Sequence, residues 1–107
     1  MPTFGWSEAS APWSVVEDGA PVVACALHAG HDLRPEVQKL MALGSRGRLY
    51  EEDPHTGDLT EVAGTRLVVH RSRFEVDLNR APHLAVYREP GEAWGLPLWR
   101  TEPPAGV

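Results

Sequence analysis

The 107-residue sequence predicts an α/β domain with few helices, on three observations. Residues 21–27 form an apolar run of Val, Ala, Cys and Leu, which suits a strand buried on both faces of a sheet. Phe74, Val76 and Leu78 alternate with Glu75, Asp77 and Asn79, a period of two that suits a strand with one buried face. Between these runs, Val37, Leu40 and Met41 recur at the spacing of one helical face.

Each element has local support. Residues 1–12 read as an irregular leader, and residues 13–17 as a short strand. Asp18-Gly19 is a tight-turn signal in which Gly supplies the left-handed residue, so residues 13–27 read as a hairpin feeding a central strand. Pro35 is tolerated in the first turn of a helix, and Gly44 is a plausible cap at its end. Leu49 and Tyr50 begin another short strand. Asp58-Leu59-Thr60-Glu61 resembles a capping box, opening a short helix that stops at Gly64. Residues 65–70 read as a strand leading into the alternating stretch, and residues 84–87 as a further short strand. Residues 101–107, with two prolines and a glycine, read as a tail.

Composition bounds the function. The length suits one small domain, and the 42% hydrophobic and 23% charged shares are ordinary for a globular chain. A net charge of −5 argues against nucleic acid as a partner. No stretch approaches a membrane span, and the first residues lack the basic and apolar regions of a signal peptide. Cys25 is the single cysteine, so no internal disulfide forms. A cytoplasmic setting follows from these features.

Three polar clusters carry candidate chemistry. The first is Arg71, Arg73 and Arg80, with Asn79 on the same strand parity as Arg73. A planar guanidinium binds a carboxylate through two parallel hydrogen bonds, so this strand end is a candidate carboxylate site. The plain alternative is a polar face solvated by ion pairs. The second is His28-Ala29-Gly30-His31-Asp32, just past the carboxyl end of an apolar strand, where sites gather in open α/β sheets. His28 and His31 are candidate metal ligands, and the alternative is a pair of loop histidines bonded to water or backbone. The third is Glu51-Glu52-Asp53-Pro54-His55, either an oxygen ligand for zinc or a solvated acidic turn.

Taken together, the clusters resemble the N-formylglutamate amidohydrolase family. Pro21-Val22-Val23 with His28-Ala29-Gly30, then Glu51-Glu52-Asp53-Pro54, then the stretch from Ser72 to Arg80 stand in the family's order. Ala85-Val86-Tyr87 and Ala93-Trp94-Gly95-Leu96 look like its continuation. The most specific part is Ser72-Arg73-Phe74-Glu75-Val76-Asp77-Leu78-Asn79-Arg80. The resemblance implies a partial zinc-carboxypeptidase-like α/β sandwich around a mixed sheet. It also implies zinc-dependent hydrolysis of the amide of an N-acyl amino acid. By residue, it makes His28 the first zinc ligand and Asp53 the acidic one, with Glu51 and Glu52 as neighbours able to take that role. It makes Asn79 and Arg80 the clamp on the substrate carboxylate, assisted by Arg73.

Two departures accompany the resemblance. Gly57 stands where the family usually has Asp, and Asp58 is one place late. Family enzymes are more than twice as long, and their later His ligand and general-base Glu lie beyond Val107, so the catalytic set is expected to be incomplete here. The alternative function is a non-catalytic α/β module that binds a carboxylate or a partner protein. A core cut short also leads us to expect Trp94, Leu96, Leu98 and Trp99 on an exposed surface, available for self-association or for a missing C-terminal half.

Overall fold

The structure is a computed structural model that describes residues 3–4 and 11–104. It is α/β, with a small mixed sheet and three short helices. The strands are β1 (Thr3–Phe4), β2 (Trp13–Val16), β3 (Val23–Ala26) and β4 (Thr65–Val69), in the order β1-β2-β4-β3. β4 pairs antiparallel with β2, from Trp13 opposite Val69 to Val16 opposite Arg66, and parallel with β3, from Val23 beside Thr65 to Ala26 beside Val68. β1 lies within the leader expected to be irregular, while residues 1–2, 5–10 and 105–107 fall outside the described set.

This order corrects the hairpin expected over residues 13–27. The Asp18-Gly19 turn exists, with Gly19 at φ 78, and the Asp18 carboxylate accepts the Ala20 amide and the Thr65 hydroxyl. Yet β2 and β3 separate after it and β4 enters between them. β3 is therefore an edge strand, with Val23 at 57% exposure and Cys25 also exposed, and only Ala26 fully buried. An apolar run reads the same at the centre of a sheet as at its edge. What separates the two cases is a partner from distant sequence, which local pattern does not encode.

The helices are shorter than the periodicity suggests. α1 (Pro35–Gln38) begins at the expected proline, and Val37 and Met41 are buried. It ends within about one turn because the chain bends to pair Met41 with Trp99. Gly44 caps the start of α2 (Ser45–Leu49) rather than the end of α1, and Leu49 and Tyr50 belong to that helix and its cap instead of a strand. α3 (Thr56–Leu59) starts after His55, which is left-handed at φ 69, and runs into a 3-10 turn at Thr60–Val62. Asp58 thus lies inside the helix, not at its cap. α3 and this turn cover one face of the sheet, and a Cβ at Gly57 would meet Val68 Cγ1 at 3.4 Å. Residues 84–87 form no strand; a 3-10 turn covers Pro82–Leu84.

An apolar core cluster sits beyond the sheet. Val37, Met41, Phe74, Tyr87, Ala93 and Leu98 form it, with Leu33, Leu43, Leu96 and Trp99 packed around them. Leu98 is therefore core rather than surface, and Trp99 donates its indole N–H to the Tyr87 carbonyl at 2.5 Å. Of the four residues expected on an exposed surface, Trp94 is the one more than half exposed, at 54%. Exposed aliphatic side chains lie instead at Val22, Val23, Leu59, Val62 and Leu78, among others. Among the described residues, no helix is long and apolar enough to cross a membrane.

Candidate functional site

The alternating stretch is not a strand. From Arg73 to Arg80 the backbone makes two successive turns. The Ser72 hydroxyl accepts the Phe74 amide at 3.1 Å, and Asp77 Oδ1 accepts the Asn79 amide at 2.9 Å. Short polar side chains that bond backbone two residues ahead compete with a ladder and close turns. The burial pattern follows the turns, not a period of two. Phe74 is fully buried, Leu78 is 51% exposed, and the acidic residues Glu75 and Asp77 lie inside.

Backbone contacts bring this segment to the loop after β3. Asp32 donates its amide to the His70 carbonyl at 3.0 Å, and Ser72 donates to the Asp32 carbonyl at 2.8 Å. Gly30 makes that approach possible, since a Cβ there would stand 2.3 Å from the carbonyl carbon and oxygen of His70. The acidic cluster is tied to the same loop, because the Asp53 amide donates to the His28 carbonyl at 2.9 Å. All three polar clusters therefore meet beyond the carboxyl ends of β3 and β4.

Asp77 is the hub. His28 Nε2 lies 2.6 Å from Asp77 Oδ1. Tyr87 donates its hydroxyl to Oδ2. Arg73 Nη2 lies 3.4 Å and Arg80 Nε 3.6 Å from Oδ2. Burial raises the Asp77 carboxyl, but the hydrogen bonds from Tyr87, His28 and the Asn79 amide outweigh it and hold its pKa at about 2. Tyr87 moves upward, through burial first and its bond to Asp77 second. The other nitrogen of His28, Nδ1, is 3.4 Å from Asp53 Oδ2.

The arginines differ in what remains of their donors. Arg73 donates Nε to the Tyr87 hydroxyl and Nη1 to the Glu51 carbonyl, both at 3.1 Å, and its guanidinium lies 4.8 Å over the Trp94 ring. Arg80 is more open: Nη2 donates to the Glu92 carbonyl at 3.2 Å, and the group stacks 4.2 Å over Tyr87. Asn79 is exposed beside it. Arg71 pairs with Glu75 at 3.6 Å, away from Asp77.

His31 and Glu52 form a second, adjoining cluster. Glu52, 3% exposed, bonds His31 Nδ1 through one oxygen and accepts the Ser72 hydroxyl on the other, while Arg48 Nε stands 3.5 Å away. Among the described residues, no group of three or more His, Cys, Asp or Glu side chains is arranged to hold a metal ion. A hollow of about 430 Å³ lined by Arg46, Leu49 and Tyr50 holds none of the candidate residues.

Sequence reasoning brought His28, Asp53, Arg73, Asn79 and Arg80 forward, and the fold gathers them. It passed over Asp77 and Tyr87. Asp77 counted as a solvent-facing strand residue, although the Asp-x-Asn spacing that makes an Asx turn was a usable signal. Tyr87 carried no signal, because its pairing with Asp77 depends on how residues 82–98 return across the core.

The mixed sheet carries its polar loops at the carboxyl edge of β3 and β4, the place where ligand sites lie in open α/β folds. The family model for N-formylglutamate amidohydrolase matches residues 20–101, and the chain belongs to that family. No curated protein and no solved structure matches the chain.

Proposed function

We propose that the chain binds an N-acyl amino acid, taking its carboxylate on Arg80 and Asn79 and placing its amide beside a zinc ion held in part by His28 and Asp53. One observation carries the metal half of this reading. His28 Nδ1 and Asp53 Oδ2 are 3.4 Å apart, close to the roughly 3.3 Å between neighbouring corners of a zinc tetrahedron with bonds of about 2.0–2.1 Å. When bound, zinc supplies polarisation of the amide carbonyl and a water acidified towards neutral pH.

The remaining work falls to the chain's own side chains. Asp77, ionised above about pH 2, keeps the proton of His28 on Nε2 and so leaves the Nδ1 lone pair for a metal. Arg73 bridges Asp77 and Asp53, with Nη1 3.9 Å from Asp53 Oδ2, and limits the movement of both. Arg80 and Asn79 orient the substrate, which lowers the entropic part of the barrier. The proposed setting is the cytoplasm, with a small carboxylate ligand and neither nucleic acid nor membrane as partner.

A second reading, carboxylate binding without hydrolysis, is favoured by the donor count. Catalytic zinc takes three protein ligands, and His28 and Asp53 are two. Zinc titration by calorimetry on wild type, His28→Ala and Asp53→Ala separates the readings, alongside a hydrolysis assay with N-formyl-L-glutamate. Zinc bound one to one and lost in both variants supports the metal site. Zinc affinity unchanged by both substitutions overturns it and leaves the binding module.

A further inference from the structure

Trp94 stays 54% exposed although its ring meets Phe74 and Tyr87 edge to face, with centroids 6.4 and 6.1 Å apart. Its backbone is left-handed, at φ 53 and ψ 31, where it caps the 3-10 turn Pro90–Ala93, and Gly95 follows at φ 82. Glycine or asparagine adopts that conformation at low cost, and a bulky residue rarely does. Glycine is also the usual occupant of such a cap. With half of its surface in water, the ring recovers by burial only part of what this backbone conformation costs. Strain of this kind, held by surrounding structure, is concentrated where ligands bind.

The position of the ring indicates its use. The Arg73 guanidinium covers part of the indole. Tyr87, which packs against Trp94, carries the Arg80 guanidinium on its own ring at 4.2 Å. A ligand carboxylate at Arg80 would therefore have an exposed apolar plate one phenol ring away. We propose that Trp94 is a substrate-contact residue, a shelf for an apolar side chain or acyl group of an N-acyl amino acid. The inference rests on the carboxylate-binding reading above and adds a preference to it: ligands with an aromatic group bind more tightly than those without.

The test is calorimetric titration of N-acetyl-L-phenylalanine and N-acetylglycine into wild type, Trp94→Asn and Trp94→Phe, each with its melting temperature. The expected result is about three- to ten-fold tighter binding of the aromatic ligand to wild type. Trp94→Asn should abolish that preference, leaving the two ligands with equal affinity, and Trp94→Phe should keep part of it. An unchanged preference in Trp94→Asn overturns the inference and leaves the carboxylate reading intact. A lower melting temperature in both variants, with both ligands weakened equally, overturns it in favour of a packing role. If neither ligand binds wild type, the carboxylate reading fails and the shelf fails with it.

Discussion

Asp77 Oδ1 stands 2.6 Å from His28 Nε2, across 49 positions of sequence. The contact joins the loop after β3 to the turns after β4, and the Tyr87 hydroxyl and two guanidinium groups close on the same carboxylate. An acidic residue that is 1% exposed and surrounded by cations fixes the site's geometry through charge. Replacing it with its isostere should be costly, because the shape survives and the charge does not. Asp77→Asn is expected to lose about 3 kcal/mol of stability by urea denaturation, the scale for breaking a buried ion pair.

The same carboxylate sets an acid limit. Its folded pKa, about 2, is below the ordinary 3.8, so the unfolded chain takes up the proton first. The stabilisation is whole above about pH 5 and is lost as pH falls through about 2, to a total of about 2 kcal/mol. A plot of melting temperature against pH should drop in this window for wild type and be flatter for Asp77→Asn. Equal slopes in the two proteins would place the acid sensitivity elsewhere.

Arg80 should matter to ligand and little to folding. It is about one-third exposed and sits at the end of the turns, outside the cluster around Phe74. Arg80→Ala is expected to weaken N-acetylglycine binding by about 1.5–3 kcal/mol with a small change in melting temperature. Arg80→Lys keeps the charge without the planar fork and should restore only part of the affinity. A large loss of stability with affinity unchanged would make Arg80 a structural partner of Asp77.

Ser72 and Glu52 should behave as one unit. The Ser72 hydroxyl donates to buried Glu52 and accepts the Phe74 amide, which closes the first turn. Ser72→Ala is expected to cost about 2 kcal/mol. The double variant with Glu52→Gln should lose less than the sum of the two single losses, since both substitutions act on the same contact. Strict additivity in a double-mutant cycle would contradict the shared role.

Gly30→Ala should be among the more damaging single-methyl additions. The new Cβ would meet the His70 backbone at 2.3 Å, and a neighbouring backbone cannot rotate aside as a side chain can. A loss of about 3 kcal/mol is expected, at the upper end for overpacking, together with loosening of the Asp32 amide's bond to the His70 carbonyl, seen as faster amide exchange at Asp32.

The sequence is legible where local chemistry decides the outcome. β2, β4, the start of α1 and the Gly19 turn stand where residue types place them. The candidate residues His28, Asp53, Arg73, Asn79 and Arg80 come together, yet the structural reason differs from the one expected. Alternation from Phe74 to Leu78 suggested a strand, and two side chains, Ser72 and Asp77, fold it into turns by capping their own backbone. The edge position of β3 and the burial of Leu98 are long-range outcomes. They depend on which distant segment arrives, and no window of a few residues holds that information.

The central place of β4 also has a kinetic meaning. Its antiparallel partner β2 and its parallel partner β3 both lie far upstream, with all three helices between β3 and β4. No adjacent-strand hairpin can seed that pairing, so the chain must close a long loop before the sheet repays the lost entropy. His28 reaches Asp77 only after this closure. The site is thus expected to form after the main barrier, and a ligand that bridges the two loops should slow unfolding more than it speeds folding.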